Sequence, residues 1–586
     1  MPENRWSSIN HPAHCLSSIH WLTKKSTALN LKSFVQALLF VICITGLSVR
    51  AQDFLAGGKV TGNFQLDAQV YKADSAIGAE EVEEKMLMNA FANLLYSNGN
   101  FNAGLRFETY LNPMLGFDPR YEGSGVPYWF GSWKNDQFEI TVGNFYEQFG
   151  SGMVLRSYEE RNLGYDNALK GARVKFSPVA GVTLKGLIGT QRFFWDQGPG
   201  IVRGLDGDFA LNELFDKAGK CKTRVSVGGS FVSKYQALEE IIVNDTSMLN
   251  LPANVAAWSA RFNLSRGGFN LDGEFASKMN DPSNMNDFIY KNGHSLLLQA
   301  AYSQKGFGII ASAKRTDNMS FKSNRNERGS VLDINYLPAL TRQHTYSLAA
   351  MYPYATQPNG EMALQGQVNY KIKKGSMLGG KYGTDIAVNY ARISSIENEL
   401  PEGETSIVSG TDGYKSSFLA FGDELYFQDL NLEIQHKFSS KFKLLVSYLN
   451  LNYNIAVIEG HPEDSIPVKA HVFIADMTYK FDQTNALKVE LQHLGTKQDE
   501  GDWLHFLAEY TIAPKWFFTV SDQYNYGNPD KDRRYHYPTI AAGYTAGSSR
   551  ISLSYGKQRE GILCVGGVCR PVPASNGFAV TITSSF

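Results

Sequence analysis

From Val60 to Val70 the chain alternates without a break. The even positions read Val60, Gly62, Phe64, Leu66, Ala68 and Val70, and the odd ones read Thr61, Asn63, Gln65, Asp67 and Gln69. Successive side chains of an extended chain point to opposite sides, so this pattern predicts a β-strand with one apolar and one polar face. The pattern recurs. Phe101, Ala103, Leu105 and Phe107 alternate with Asn102, Arg106 and Glu108. Trp258, Ala260, Phe262 and Leu264 alternate with Ser259, Arg261 and Asn263. Further examples run through Phe269–Phe275 and through Ile551, Leu553 and Tyr555. A soluble sandwich could use one such strand. Many of them, each of about ten residues and separated by turn residues, fit a transmembrane β-barrel of the outer-membrane kind.

The connections support this reading. Short turns are expected at Ser97–Asn100, Ser177–Gly181, Ser265–Gly268, Ser303–Gly306, Lys480–Asn485 and Thr545–Ser548, among others. Longer polar stretches lie between them at 72–85, 235–254, 279–293, 395–423 and 454–466. Outer-membrane barrels pair short periplasmic turns with long extracellular loops. Aromatic residues cluster at the short turns: Phe101, Phe269, Phe307, Phe438, Phe442, Phe481, Trp516 and Phe517. Amphipathic rings favour the lipid–water boundary, so these are expected to form one girdle. The last strand, near 574–586, carries Phe578, Val580, Ile582 and a terminal Phe586. That ending resembles the C-terminal signal of outer-membrane barrels, which implies reading by the barrel-assembly machinery.

Counting back from that strand gives about 26 strands, with both ends of the barrel on the periplasmic side. Segments near 329–337 and 343–352 are included in the count. If the segments near 125–133, 204–215 or 329–337 fall out with a neighbour, the total becomes about 24 or 22. The expected fold is therefore all-β: a single large transmembrane antiparallel β-barrel with no plug domain.

Composition adds a leader to this picture. Among 586 residues one long apolar segment stands out, Phe34–Leu47, after Lys24, Lys25 and Lys32 and before Val49-Arg50-Ala51. It is short for a membrane-spanning helix and reads as the core of a cleaved signal peptide, so the chain divides into a signal peptide at 1–51 and a barrel at 52–586. The competing readings are an anchoring helix, or a lipoprotein through Cys43, which lacks the small residues expected before a lipidated cysteine. Mean hydropathy is -0.26 despite 36 Phe and 30 Tyr, as expected where each strand shows one face to lipid and one to water. The leader holds five of the 56 basic and one of the 57 acidic side chains, leaving a net charge of -5. Nothing in that balance points to nucleic acid.

The densest polar motif runs from Gly143 to Arg173. Its glycines at 150 and 152 allow sharp folding, and Arg156, Glu159, Glu160 and Arg161 are too charged for lipid. A loop turned into the lumen, with charges paired around Asp166 and Arg173, would narrow a pore. The other reading is an extracellular loop with solvated charges. With Gly150, Gly152, Arg156, Arg161, Asp166, Gly171 and Arg173 in these positions, the segment resembles an uncharacterised family of outer-membrane barrels, and more loosely porins of the alginate-export type. The resemblance covers about 30 residues and implies a porin-like fold and role without a substrate.

Three cysteines follow the leader. Cys564 and Cys569 flank Gly566-Gly567 in the last long connection and are expected to form a disulfide; the alternatives are two free thiols or half of a metal site. Cys221 is expected to stay free. The histidines His294, His344, His436, His461, His471, His493, His505 and His536 are scattered, and none lies in a nucleophile motif. An enzyme is therefore not expected, nor a cofactor or metal. The acidic loops 72–85 and 395–412 lack ordered ligand spacing and read as solvated. The expected role is a porin-like channel or transporter for an unidentified solute. The alternative is a non-conducting subunit of an assembly or secretion complex, its lumen filled by loops or a partner. Partners would be outer-membrane lipids, the assembly machinery during biogenesis, and a protein or small solute in the lumen.

Overall fold

In the computed structural model, which describes residues 57–586 except 217–218, 245–246 and 461–465, 24 strands pair into one antiparallel sheet. The expected leader and cleavage site, and His461, lie outside the described residues. The sheet closes on itself: Lys59–Tyr71 pairs with Met86–Asn98 on one side and with Ser575–Ser585 on the other. The closing register runs from Asn63 opposite Ser585 to Tyr71 opposite Gly577. Closure leaves no sheet edge, which is what a spanning β-structure in hydrocarbon requires.

The alternating pattern sorts side chains between two environments. Phe101, Leu105, Trp258, Phe262, Ile551, Leu553 and Tyr555 are exposed on the outside. Their neighbours Arg106, Glu108 and Ser259 are buried on the inside. The outer face is thus an apolar belt on a closed barrel, and the protein is an outer-membrane barrel. Short turns join strands at the rim that carries both barrel ends, as at Gly99-Asn100 and Gly267-Gly268. The long connections gather at the opposite rim, which is extracellular by the usual asymmetry. The girdle needs one correction. Phe101, Phe269, Phe438, Phe481 and Trp516 are exposed outside. Phe517 shares the face of Gln523, whose amide meets Ser347 inside the barrel, so it points into the lumen, packed under Arg550.

The count is 24 rather than 26. The expected strands at 329–337 and 343–352 belong to one connection, 318–359, between Phe307–Asp317 and Gly360–Ile372. That connection is not wall at all. It lies inside the barrel, with Met319, Phe321, Ile334, Leu348 and Ala349 almost fully buried. Three prolines, Pro338, Pro353 and Pro358, stand in this stretch, where each would cost a central strand a ladder hydrogen bond.

Candidate functional site

Among the described residues, two connections fill much of the lumen. Residues 146–168 fold inward from Phe138–Phe145, and residues 318–359 cross from one wall to the other. Within the described residues, then, the filling comes from links between strands and not from a separate plug domain.

On one side Phe149, Met153, Val154 and Leu155 pack with Met319, Phe321, Ile334 and Leu337 against Val202, Val232 and Ala257 of the wall. On the other side Leu340, Leu348, Met351, Tyr352 and Tyr354 pack against Leu449, Leu451, Val472, Ile474 and Trp503. These are two apolar cores inside a barrel, and each excludes water where it forms.

An irregular backbone buried in this way must still satisfy its carbonyls. Lysines from the wall do so. Lys234 donates to the Lys322 carbonyl at 2.7 Å and pairs with Asp281 at 2.6 Å. Lys278 donates to the Ser320 carbonyl at 2.7 Å. Lys314 donates to the Pro338 carbonyl and pairs with Glu361 at 2.5 Å. Across the lumen, Arg342 donates to Asn431 at 2.9 Å and to Glu433 at 2.6 Å, His344 meets Asp429 at 2.8 Å, and Tyr346 donates to Asp476 at 3.0 Å. Gly200 lets the crossing segment lie against the wall, because a Cβ there would fall 2.1 Å from the Ser323 carbonyl oxygen.

The charged residues of the 143–173 motif separate into four settings. Asp166 sits in a buried network: Arg192 donates to it at 2.7 Å, Arg106 also bonds it, and Glu108 bridges both guanidinium groups at 2.6 and 2.7 Å. Burial alone would raise the Asp166 carboxyl, but Arg192 and Arg106 hold it below its ordinary value. Glu159 joins this network through Arg106 at 2.9 Å and also takes Arg161 at 2.7 Å. Glu160 instead caps the short turn Arg161–Leu163, accepting from the Asn162 N–H at 3.2 Å. Arg156 stacks between the rings of Tyr158 and Tyr336, at 4.4 and 4.1 Å. It is not part of the Asp166 network. Arg173 lies lower on the wall in a ladder of alternating charge. It bonds Glu139 and Glu147, Lys185 bonds Glu147 at 2.9 Å, and Arg261 bonds Asp206 and Asp208 at 2.7 Å each.

At the extracellular mouth the hairpin Gly561–Val572 folds over the filling, with Cys564 and Cys569 opposite each other and disulfide-bonded. Tyr336 donates to the Gly566 carbonyl at 2.7 Å, and the Thr356 N–H to the Gly567 carbonyl at 3.1 Å. Cys221 is free and exposed. Phe578 is exposed on the outer face of the closing strand, Val580 and Ile582 lie on that same face, and the Phe586 N–H bonds the Gly62 carbonyl at 3.0 Å. The histidines remain dispersed. Among the described residues no group of three or more His, Cys, Asp or Glu side chains is arranged to hold a metal ion.

Sequence reasoning missed the 318–359 filling. A usable signal was the inner face of Val468–Lys480, where Val468, Ala470, Val472 and Ile474 would be out of place against water.

Among solved structures, the chain is similar to the translocation pore of the P pilus usher PapC, with 8% identity over 90% of this chain and 99% of that one, at a TM-score of 0.43. It is also similar to a mutant ferric enterobactin receptor from Pseudomonas aeruginosa, with 10% identity over 91% and 81% of the two chains and a TM-score of 0.40. A third is OccAB4 of Acinetobacter baumannii, with 11% identity over 80% and 98% and a TM-score of 0.31. No curated protein matches the chain. A family model does, over residues 31–586, and the chain belongs to that family, a family of unknown function (DUF6029).

Proposed function

We propose that this protein is an outer-membrane channel or transporter for a small solute, held closed across much of its lumen by its own connections. The observation that carries the reading is the 318–359 segment, anchored to both walls inside the barrel. Barrels of about 22 strands are already plugged, and a wholly open barrel of 24 would leave a hole far wider than a selective pore needs. Filling part of the lumen converts so wide a wall into a narrow passage.

Single-channel recording of the purified protein in planar bilayers tests this. The intact chain should give small, stable steps. A variant with residues 340–354 replaced by a short Gly-Ser linker removes one of the two apolar cores and should give steps several-fold larger. Heat-dependent electrophoretic mobility checks that the barrel still forms. Those same two apolar cores favour a second reading, a non-conducting barrel that serves an assembly as structure. Silence from the intact chain, with large steps after the deletion, would favour that reading.

A further inference from the structure

The inner wall is not uniform, and one sector of it stays clear of the filling. Five consecutive strands form it: Trp516–Tyr524, Thr539–Ala546, Ser549–Gln558, Ser575–Ser585 and Lys59–Tyr71. Inward positions follow from register. Ser521 stands opposite Thr539, Ser552 opposite Thr581, and Thr581 opposite Asp67, while Ile551, Leu553 and Phe578 face outward. The sector's inward positions include six small hydroxyl side chains, Ser521, Thr545, Ser552, Ser554, Thr581 and Thr583, beside Phe517, Gln523, Asp67 and Arg550.

These side chains keep partial exposure although they face the lumen, and they belong to neither apolar core. A few strands along the same wall, Leu449, Ala470 and Val472 are sealed. Among the described residues, side-chain hydrogen bonds join the two internal segments to this sector at its margins, Gln523 donating to Ser347 and Arg161 donating to Gln65.

The sector also differs in charge. Asp67 is held by Gln65 at 2.7 Å and by Thr581 at 2.8 Å. Arg550 lies over the Phe517 ring at 4.6 Å, near the periplasmic rim. At the other rim Lys557 is paired with Asp74 at 2.6 Å. The alternating ladder of Glu139, Arg173, Glu147, Lys185 and Arg261 runs on a different part of the wall.

Resting on the channel reading above, we infer that the passage runs along this hydroxyl-lined seam and takes small, uncharged, hydroxyl-rich solutes of the sugar or polyol class. A hydroxylated solute can exchange its water hydrogen bonds for bonds to Ser and Thr at little net cost. Two charges of the sector stand apart, Asp67 held by neutral partners at mid-wall and Arg550 over a ring near the periplasmic rim, so an ion of either sign sheds hydration along hydroxyl groups and meets one charge that repels it.

Swelling of proteoliposomes in iso-osmotic glucose, gluconate and glucosamine compares three solutes of nearly equal size. Glucose should enter at least five-fold faster than either ion. Ser554→Trp combined with Thr581→Trp narrows the seam at mid-wall and should cut the glucose rate at least five-fold, with heat-dependent mobility confirming a folded barrel. Equal rates for glucose and gluconate overturn the solute class. An unchanged glucose rate in the double variant overturns the path. No swelling with any solute, in protein that is also silent in bilayers, removes the channel reading and this inference with it.

Discussion

Glu108 shows what one buried residue can hold. It accepts from Arg106 at 2.6 Å and from Arg192 at 2.7 Å, and all three side chains are almost fully buried. Removing the shared carboxylate leaves two guanidinium groups with less countercharge, and breaking a buried pair in this way costs about 3–5 kcal/mol. Glu108→Ala should therefore lower the midpoint of urea unfolding in detergent clearly, and Glu108→Gln, which keeps one acceptor, should lower it less. Gly150 is a second such position. Its φ is +52°, and a Cβ would stand 2.6 Å from the Glu274 carboxylate that accepts the Ser151 N–H at 2.7 Å. Gly150→Ala should thus cost at least the ~1 kcal/mol of a left-handed non-glycine residue, and loosen the tie between the internal turn and the wall. Faster amide exchange at 149–155, with the strands unchanged, would register it.

At the scale of elements, strands obey the sequence pattern and connections do not. Period-two alternation located nearly every wall strand, because each strand meets lipid on one side whatever lies on the other. It did not say which face was which. In Val468–Lys480 the apolar residues Val468, Ala470, Val472 and Ile474 point inward to the filling, and Phe473 points outward. Alternation over Leu332–Tyr336 made 329–337 look like wall, yet that stretch is irregular and turn-rich inside the lumen, and 343–352 turns at 347–350, where the Ala350 N–H bonds the Tyr346 carbonyl at 2.9 Å. The hairpin Gly561–Val572 is a simpler case. Its glycines permit the tight turn that sets Cys564 opposite Cys569, and that turn then rests on Tyr336 and Thr356. Thiol labelling of the unreduced protein should tag Cys221 alone, and reduction should add two further sites.

For the whole molecule, the barrel was legible in the sequence and its contents were not. Wall strands are local objects whose signal lies within about ten residues. The filling depends on side chains that come together from distant strands: Lys234, Lys278 and Lys314 around one half of 318–359, and Asn431, Glu433 and Asp476 around the other. No local window contains that set. The 143–173 motif could be recognised as charged and sharply turned, but the partners of Asp166, namely Arg106 and Arg192, lie on strands well before and after it.

The closure of the ring has a consequence in time. It joins Asn63 to Ser585, so the first strand of the wall waits for the last before it has a neighbour on both sides. Until that moment the wall is a curved ribbon with two raw borders and an oily back, and such borders seek any other strand they meet. The ring is therefore complete only with its last pairing, and a chain that lacks either Lys59–Tyr71 or Ser575–Ser585 keeps both borders open.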